Sequence, residues 1–205
     1  MPETLAARAV IVDPSSIFWE GAHACLSKGE HVTFASVQSL AEAVERLGPL
    51  TPDLALVGPN FPERESLALC REVIVRWPGL KIVLFSRHAD DPLFQADAAH
   101  AGANACLPRE AGEAETLQAI ASVMAGHQSF SREILSQAFR PIVLTPREGE
   151  VLKLLAEEKT DREIAARLGL CLTTIRNYSQ RILEKFGVHS RHEAVRRARR
   201  LGWPF

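Results

Sequence analysis

The sequence LTTIRNYSQRILEKF, from Leu172 to Phe186, carries hydroxyls, guanidiniums and two carboxamides at a spacing suited to one kind of chemistry. Side chains of these types form paired hydrogen bonds with guanine and adenine edges in a DNA major groove. At 3.6 residues per turn, Thr173, Arg176, Asn177, Gln180 and Glu184 share one stripe of a helix, and Ile175, Tyr178, Ser179, Ile182 and Phe186 share the opposite one. The second stripe can pack inward while the first stays available. A polar face on an amphipathic helix is usually solvated surface, so a functional reading must come from the elements around it.

Those elements are recognisable. In LTPREGEVLKLLA (residues 144–156), Thr145 is expected as N-cap, Pro146 at the first helical position and Glu148 as the capping-box partner, with Val151, Leu154 and Leu155 facing a core. In TDREIAARLGL, Asp161 is expected as the next N-cap and Gly169 as the left-handed residue that stops the helix. Ser190 opens a last helix with a narrow apolar stripe of Ala194, Val195, Ala198 and Leu201, flat enough for a second copy to approach. The order of helix, short glycine turn and helix is that of a DNA-binding supersecondary unit.

Taken together, LTPREGEVLKLLA, TDREIAARLGL, TTIRNY and LEKFGVHSRHEAV resemble the LuxR-type helix-turn-helix, over residues 144–202. The resemblance implies that the Leu172 helix lies in the major groove, with Arg176, Asn177 and Gln180 as base or groove contacts beside Thr173, and Thr174 and Arg181 meeting phosphates. Cys171 stands where that family usually has a capping Ser or Asn, and Tyr178 where it often has His. With the helix dipole and Arg176 nearby, Cys171 is either a small residue tolerated at a cap or a thiolate open to oxidation.

Charge is divided along the chain. Residues 141–205 hold 13 Lys plus Arg against 8 Asp plus Glu, a net of +5, whereas residues 1–140 hold 11 against 17, a net of −6. A basic module tethered to an acidic one fits phosphate binding, although the RRARR run from Arg196 to Arg200 could equally be a solvated face. The 46% hydrophobic content over 205 residues suits two globular domains. No apolar run approaches a membrane span and the first residues lack the pattern of a signal peptide, so a cytoplasmic, nucleoid-associated protein is expected. Cys25, Cys70, Cys106 and Cys171 show no metal-ligand spacing with the histidines, and no nucleophile–base pair or glycine-rich phosphate loop emerges. Neither a metal, a cofactor nor an enzymatic role is expected.

The first 125 residues alternate apolar runs with amphipathic stretches five times. Strands are expected at residues 8–12, 31–35, 53–57, 81–85 and 104–107, and helices at 16–28, 39–47, 64–77, 91–101 and 112–125. Alternation of this kind implies a parallel sheet covered on both faces, a flavodoxin-like doubly wound (βα)5 domain in the α/β class. Working groups of such a domain collect outside the carboxyl ends of the strands. Here those ends are Asp13-Pro14, Gly58-Pro59, Ser86-Arg87 and Pro108-Arg109.

With the helical module attached, the whole chain resembles a NarL/FixJ-type response regulator with an atypical receiver. The resemblance maps the pocket of aspartyl phosphorylation onto Asp13, Gly58, Ser86 and Arg109. Only Asp13 survives from the acidic pair, beside Pro14. Gly58 takes the acceptor position, Arg109 stands for Lys and Cys106 for the aromatic switch. Aspartyl phosphorylation needs a carboxylate nucleophile and an oxygen-bound divalent cation. Gly58 supplies no nucleophile, so a receiver fold without phosphotransfer is expected. Arg109 would neutralise Asp13, or Ser86 and Arg109 would hold an anion or small ligand.

The domains expected are a receiver-like domain over residues 1–125, a linker over 126–143 with a short helix capped by Ser131, and the helical domain over 144–205. Ile134, Leu135 and Phe139 of the linker could dock on either domain. Two functions follow from this reading. One is a sequence-specific transcription regulator that binds double-stranded DNA as a homodimer, with RNA polymerase or another regulatory protein as a possible partner. The other is an interaction module that sequesters a kinase, a regulator or polymerase without reading DNA.

Overall fold

The computed structural model describes residues 8–26, 34–37, 42, 45 and 52–205. Four-residue apolar runs form most of the strands: β1 (Ala9–Val12), β2 (Phe34–Val37), β3 (Leu54–Val57), β4 (Lys81–Ser86) and β5 (Ala105–Pro108). All neighbours pair in parallel and the sheet order is β2-β1-β3-β4-β5. This is the doubly wound order whose switch point lies between β1 and β3. β2 sits further along the chain than the expected 31–35, because pairing of Ala9 with Phe34 and Val12 with Val37 sets its register. The helix expected over residues 39–47 lies outside the described residues, apart from Glu42 and Glu45.

Side chains alternate across the sheet, and each face has its own core. Val10, Val12, Ala55, Val57, Ile82 and Leu84 pack with Leu67, Cys70 and Val73 of α2 (Glu63–Arg76) and with Phe94 and Ala98 of α3 (Pro92–His100). Ala9, Ile11, Leu54, Leu56, Val83 and Phe85 pack on the other face with Leu26 of α1 (Ser16–Leu26) and with Ala119, Ile120 and Val123 of α4 (Glu113–Met124). Cys106 on β5 is half-buried against the first cluster.

The chain divides into two units, Met1–Phe139 and Arg140–Phe205. The segment expected as a linker is therefore shared between them. Its short helix, α5 (Arg132–Ala138), begins at Ser131, whose hydroxyl accepts from the Ile134 amide at 3.2 Å. Ile134 and Ala138 are buried in the first core cluster and Leu135 packs against it, so α5 belongs to the sheet unit. Phe139 remains 65% exposed.

The second unit is helical: α6 (Pro146–Ala156), α7 (Asp161–Leu168), α8 (Leu172–Phe186) and α9 (Arg191–Arg200). Three of these helices start with a complete capping box, Thr145 with Glu148, Thr160 with Glu163 and Ser190 with Glu193. Asp161 is thus the first helical residue of α7 and not its N-cap. Thr160 wins because it has a Glu three residues on, whose Oε2 accepts from the Thr160 amide at 2.7 Å. Gly169 and Gly187 end α7 and α8 in the left-handed conformation, at φ 66° and 63°. Among the described residues no helix is long and apolar enough to cross a membrane.

Candidate nucleic-acid interface and receiver pocket

In the helical unit, α8 presents the two faces that its sequence implies. Ile175, Ile182 and Phe186 are fully buried, with Tyr178 and Ser179 half-buried beside them. Thr173, Arg176, Asn177, Gln180, Arg181 and Glu184 are exposed, and Thr174 is half-exposed. Gln180 Nε2 donates to Glu184 Oε1 at 3.1 Å, so its carboxamide is oriented along the helix surface. Leu172, 37% exposed at the N-terminal end of α8, adds an apolar group to the same rim.

The helix is fastened at both ends by contacts that the sequence alone does not reveal. At its C-terminal end, Lys185 Nζ donates to Glu148 Oε2 at 2.6 Å, and Glu148 is 2% exposed. Burial opposes ionisation of this carboxyl, but hydrogen bonds from Lys185 and Thr145 outweigh it and hold the group below the usual carboxylate range. Buried Arg197 donates from Nη1 to the Phe186 carbonyl, closing the end of α8. Arg199 Nη2 donates to the Ala156 carbonyl at the end of α6, at 3.1 Å. Cations at carbonyl ends also complement the helix dipoles. The arginine run is therefore partly a set of helix latches: Arg197 and Arg200 are buried, and only Arg196 and Arg199 are exposed.

At its N-terminal end, the Asp161 carboxylate faces both Arg176 of α8, Nε to Oδ2 at 3.9 Å, and Arg191 of α9, at 3.1 Å. Cys171 caps α8 without a hydrogen bond from its side chain to the helix backbone. Its Sγ lies 3.0 Å from Thr174 Oγ1, and that contact lowers the exposed thiol below its ordinary value. Cys70 and Cys106 behave oppositely, since burial pushes both up to about 12.

The apolar stripe of α9 is not the open face that its sequence suggests. Ala194 and Ala198 are wholly buried, Val195 is 9% exposed and Leu201 is half-buried. These residues meet α6 and α8 inside the unit, and small side chains let the helices approach. The stripe is core, and it leaves no flat surface for a second copy.

In the sheet unit, Asp13 at the end of β1 and Gly58 just after β3 are adjacent, as the strand order requires. Asp13 is fully buried. Its Oδ1 accepts from the Ser15 amide at 2.7 Å and from Asn60 Nδ2 at 2.9 Å, and its Oδ2 accepts from the Asn60 amide at 3.0 Å. A Cβ added at Gly58 would lie 2.1 Å from Asp13 Oδ2. The Asp13 carboxylate therefore fills the space that a side chain at position 58 would need. Arg109 is exposed and forms no ion pair with Asp13. Asn60 and Ser15 remove the expected need for it, because their three N–H donors satisfy the buried carboxylate.

Ser86 is buried at the end of β4 and accepts from the His88 amide at 3.1 Å. With Arg87, Asn60 and Phe61 it lines a cleft of about 360 Å³, where His88 Nε2 meets Glu63 Oε1 at 2.7 Å. The divalent cation of aspartyl phosphorylation does not fit these residues. Asp13 has both oxygens engaged by nitrogen donors, and Pro14 and Gly58 offer no side-chain oxygen. Among the described residues no group of three His, Cys, Asp or Glu side chains is placed to hold a metal ion.

Comparison with known proteins agrees with both halves. Residues 9–121 match the response regulator receiver domain, and residues 142–198 match the bacterial regulatory proteins of the luxR family. The transcriptional regulatory protein DesR of Bacillus subtilis (strain 168) is 33% identical over 163 residues, covering 79% of this chain and 80% of DesR. A probable transcriptional regulatory protein NarL of Mycobacterium tuberculosis is 27% identical over 209 residues, covering 97% of this chain and 96% of its own. Among solved structures, an RcsB–DNA complex superposes with a TM-score of 0.75 at 18% identity, covering 95% of this chain and 98% of the other. At that identity the likeness speaks for the fold. The chain belongs to the response regulators that join a receiver domain to a luxR-family helical domain. It is a DNA-binding transcriptional response regulator of the NarL/LuxR type.

Proposed function

We propose that this regulator reads specific DNA sequences as a dimer and does so without aspartyl phosphorylation. The observation that carries the second part is the packing of the Asp13 carboxylate onto Gly58, which leaves neither a nucleophile nor room for one. Phosphoryl transfer to a receiver needs both the acceptor carboxylate and an oxygen-bound cation. For DNA reading, the support is the exposed face of α8, where Arg176, Asn177 and Gln180 can approach base edges beside Thr173 while Thr174 and Arg181 meet the backbone. Dimerisation draws on the family, since one RcsB structure holds two dimers on two parallel DNAs. Work on DNA places the protein in the cytoplasm, at the nucleoid.

The test is a selection of duplex DNA from a random library by the native chain and by the Arg176→Ala, Gln180→Ala double variant. Each side chain that reads a base contributes about 1 to 3 kcal/mol at the preferred site, so the double variant loses both affinity and base preference. Arg181→Ala weakens all sequences alike and flattens the salt slope by about one unit. Unchanged preference in the double variant removes α8 from the groove, and absence of any salt-dependent shift favours the interaction-module reading.

A further inference from the structure

Asp161 is an acid on the face of the helical unit that has to approach phosphates. Its charge opposes DNA, and the fold does not need it as a cap, because Thr160 and Glu163 already close the start of α7. An exposed ion pair at 3.9 Å adds little to stability. Its geometry is nevertheless specific. The carboxylate side chain is 22% exposed and tied by Oδ1 to Arg191 of α9 at 3.1 Å, so its second oxygen is held in place. That oxygen, Oδ2, faces Nε of Arg176, whose side chain is 74% exposed. Neither terminal nitrogen of Arg176 has a hydrogen-bond partner among the described residues, so the Nη fork points free of the contact.

An arginine reads guanine through two parallel N–H donors to O6 and N7, and the pairing requires the guanidinium plane to be fixed. A long exposed side chain loses rotamer freedom when it docks, and a neighbour that restricts it beforehand lowers that loss. We propose that Asp161 is a specificity-setting positioning residue: fastened by Arg191, it orients the fork of Arg176 toward a guanine and reduces attraction to phosphates in general. The proposal rests on the reading of Arg176 as a base contact. Asp161 itself touches no base.

The experiment uses the full chain, the duplex it selects and a scrambled duplex of equal length, at one fixed salt concentration. Discrimination is the ratio of the two dissociation constants. Asp161→Asn lowers that ratio about five- to tenfold, with the loss concentrated at one guanine, while the scrambled duplex binds more tightly. Arg191→Ala loosens the fastening of Asp161 and lowers the ratio about two- to threefold, less than Asp161→Asn does, since the carboxylate still faces Arg176. In an Arg176→Ala background, Asp161→Asn changes the ratio no further. Asp161→Ser gives the same result as Asp161→Asn, and thermal melting confirms that each variant is folded.

A native guanine preference in folded Asp161→Asn protein overturns the proposal alone if Arg176→Ala has blurred that preference. A loss of discrimination by Asp161→Asn that persists in the Arg176→Ala background also overturns it, by showing that Asp161 only ties helices together. If Arg176→Ala keeps the preference, the reading of Arg176 falls and the proposal falls with it.

Discussion

Gly58→Ala adds one methyl at the most constrained point of the receiver. The new Cβ would lie 2.1 Å from Asp13 Oδ2 and 2.6 Å from its Cβ and Cγ, so the two side chains cannot coexist in place. The backbone at Gly58 is not left-handed, and an alanine there would ordinarily stabilise by about 0.4 to 1 kcal/mol through the unfolded chain. Against this stands overpacking of about 1 to 3 kcal/mol. Moving Asp13 also loses at least one of its hydrogen bonds to Ser15 or Asn60, each worth about 1.5 to 3 kcal/mol because the acceptor is charged. The net is about 3 kcal/mol of destabilisation, a fall of about 10 °C in the melting temperature for a unit of this size. Calorimetry of the full chain is the assay, with the sheet unit's transition moving and the helical unit's staying. Adding Asp13→Ala opens the space, so the double variant is less destabilised than the sum of the single ones by about 2 kcal/mol. A neutral or raised melting temperature in Gly58→Ala, or simple additivity, refutes the claim that Asp13 occupies the acceptor's space.

Three further outcomes follow from the helical unit. The carboxyls of Glu148, Glu163 and Glu193 all sit below their ordinary range, Glu148 through Lys185 and Thr145, the others first through the backbone amides they cap. Folded-state values below the unfolded ones give stability that is present above about pH 4.3 and lost as pH falls through the lower folded values, so acid lowers the unit's stability in that range, and Glu148→Gln flattens that dependence. Val195→Glu buries a charge in the core between α9 and its neighbours and lowers the unit's stability by about 3 kcal/mol in chemical denaturation. Alkylation by iodoacetamide goes to Cys171 ahead of Cys70 and Cys106, whose buried thiols are pushed up to about 12, and it weakens DNA binding in a gel shift. Cys171→Ser binds normally and resists the reagent.

Legibility of this chain follows how local each rule is. The start of α6 at Thr145, the stop at Gly169 and the cap at Ser190 depend on residues three or four apart, and the sequence alone places them. The cap of α7 went to Thr160 and not Asp161 although the deciding signal, Glu163, was present, because both residues of the Thr-Asp pair are good caps. The faces of α8 were legible from periodicity. The face of α9 was not, since a stripe of Ala194, Val195 and Ala198 looks the same whether it meets α6 and α8 or a second copy. In the receiver, the strand order brought Asp13 to Gly58 as expected. Its partner was misread: charge favoured Arg109, but a loop donor two residues beyond Gly58, Asn60, reaches Asp13 first. Arg197 and Arg199 were hidden in a run of like charges, and nothing local separates a helix latch from a solvated arginine.

The most direct test of regulation without phosphorylation is incubation of the native protein with acetyl phosphate and magnesium, followed by mass measurement and a DNA shift of the same sample. The expected result is no added phosphoryl group, and binding to the selected duplex by untreated protein that treatment does not change. Acid-labile, hydroxylamine-sensitive phosphate on the receiver, together with tighter DNA binding, would contradict the account. Mapping of that phosphate to Asp13 would show that the buried carboxylate leaves Asn60 and serves as acceptor.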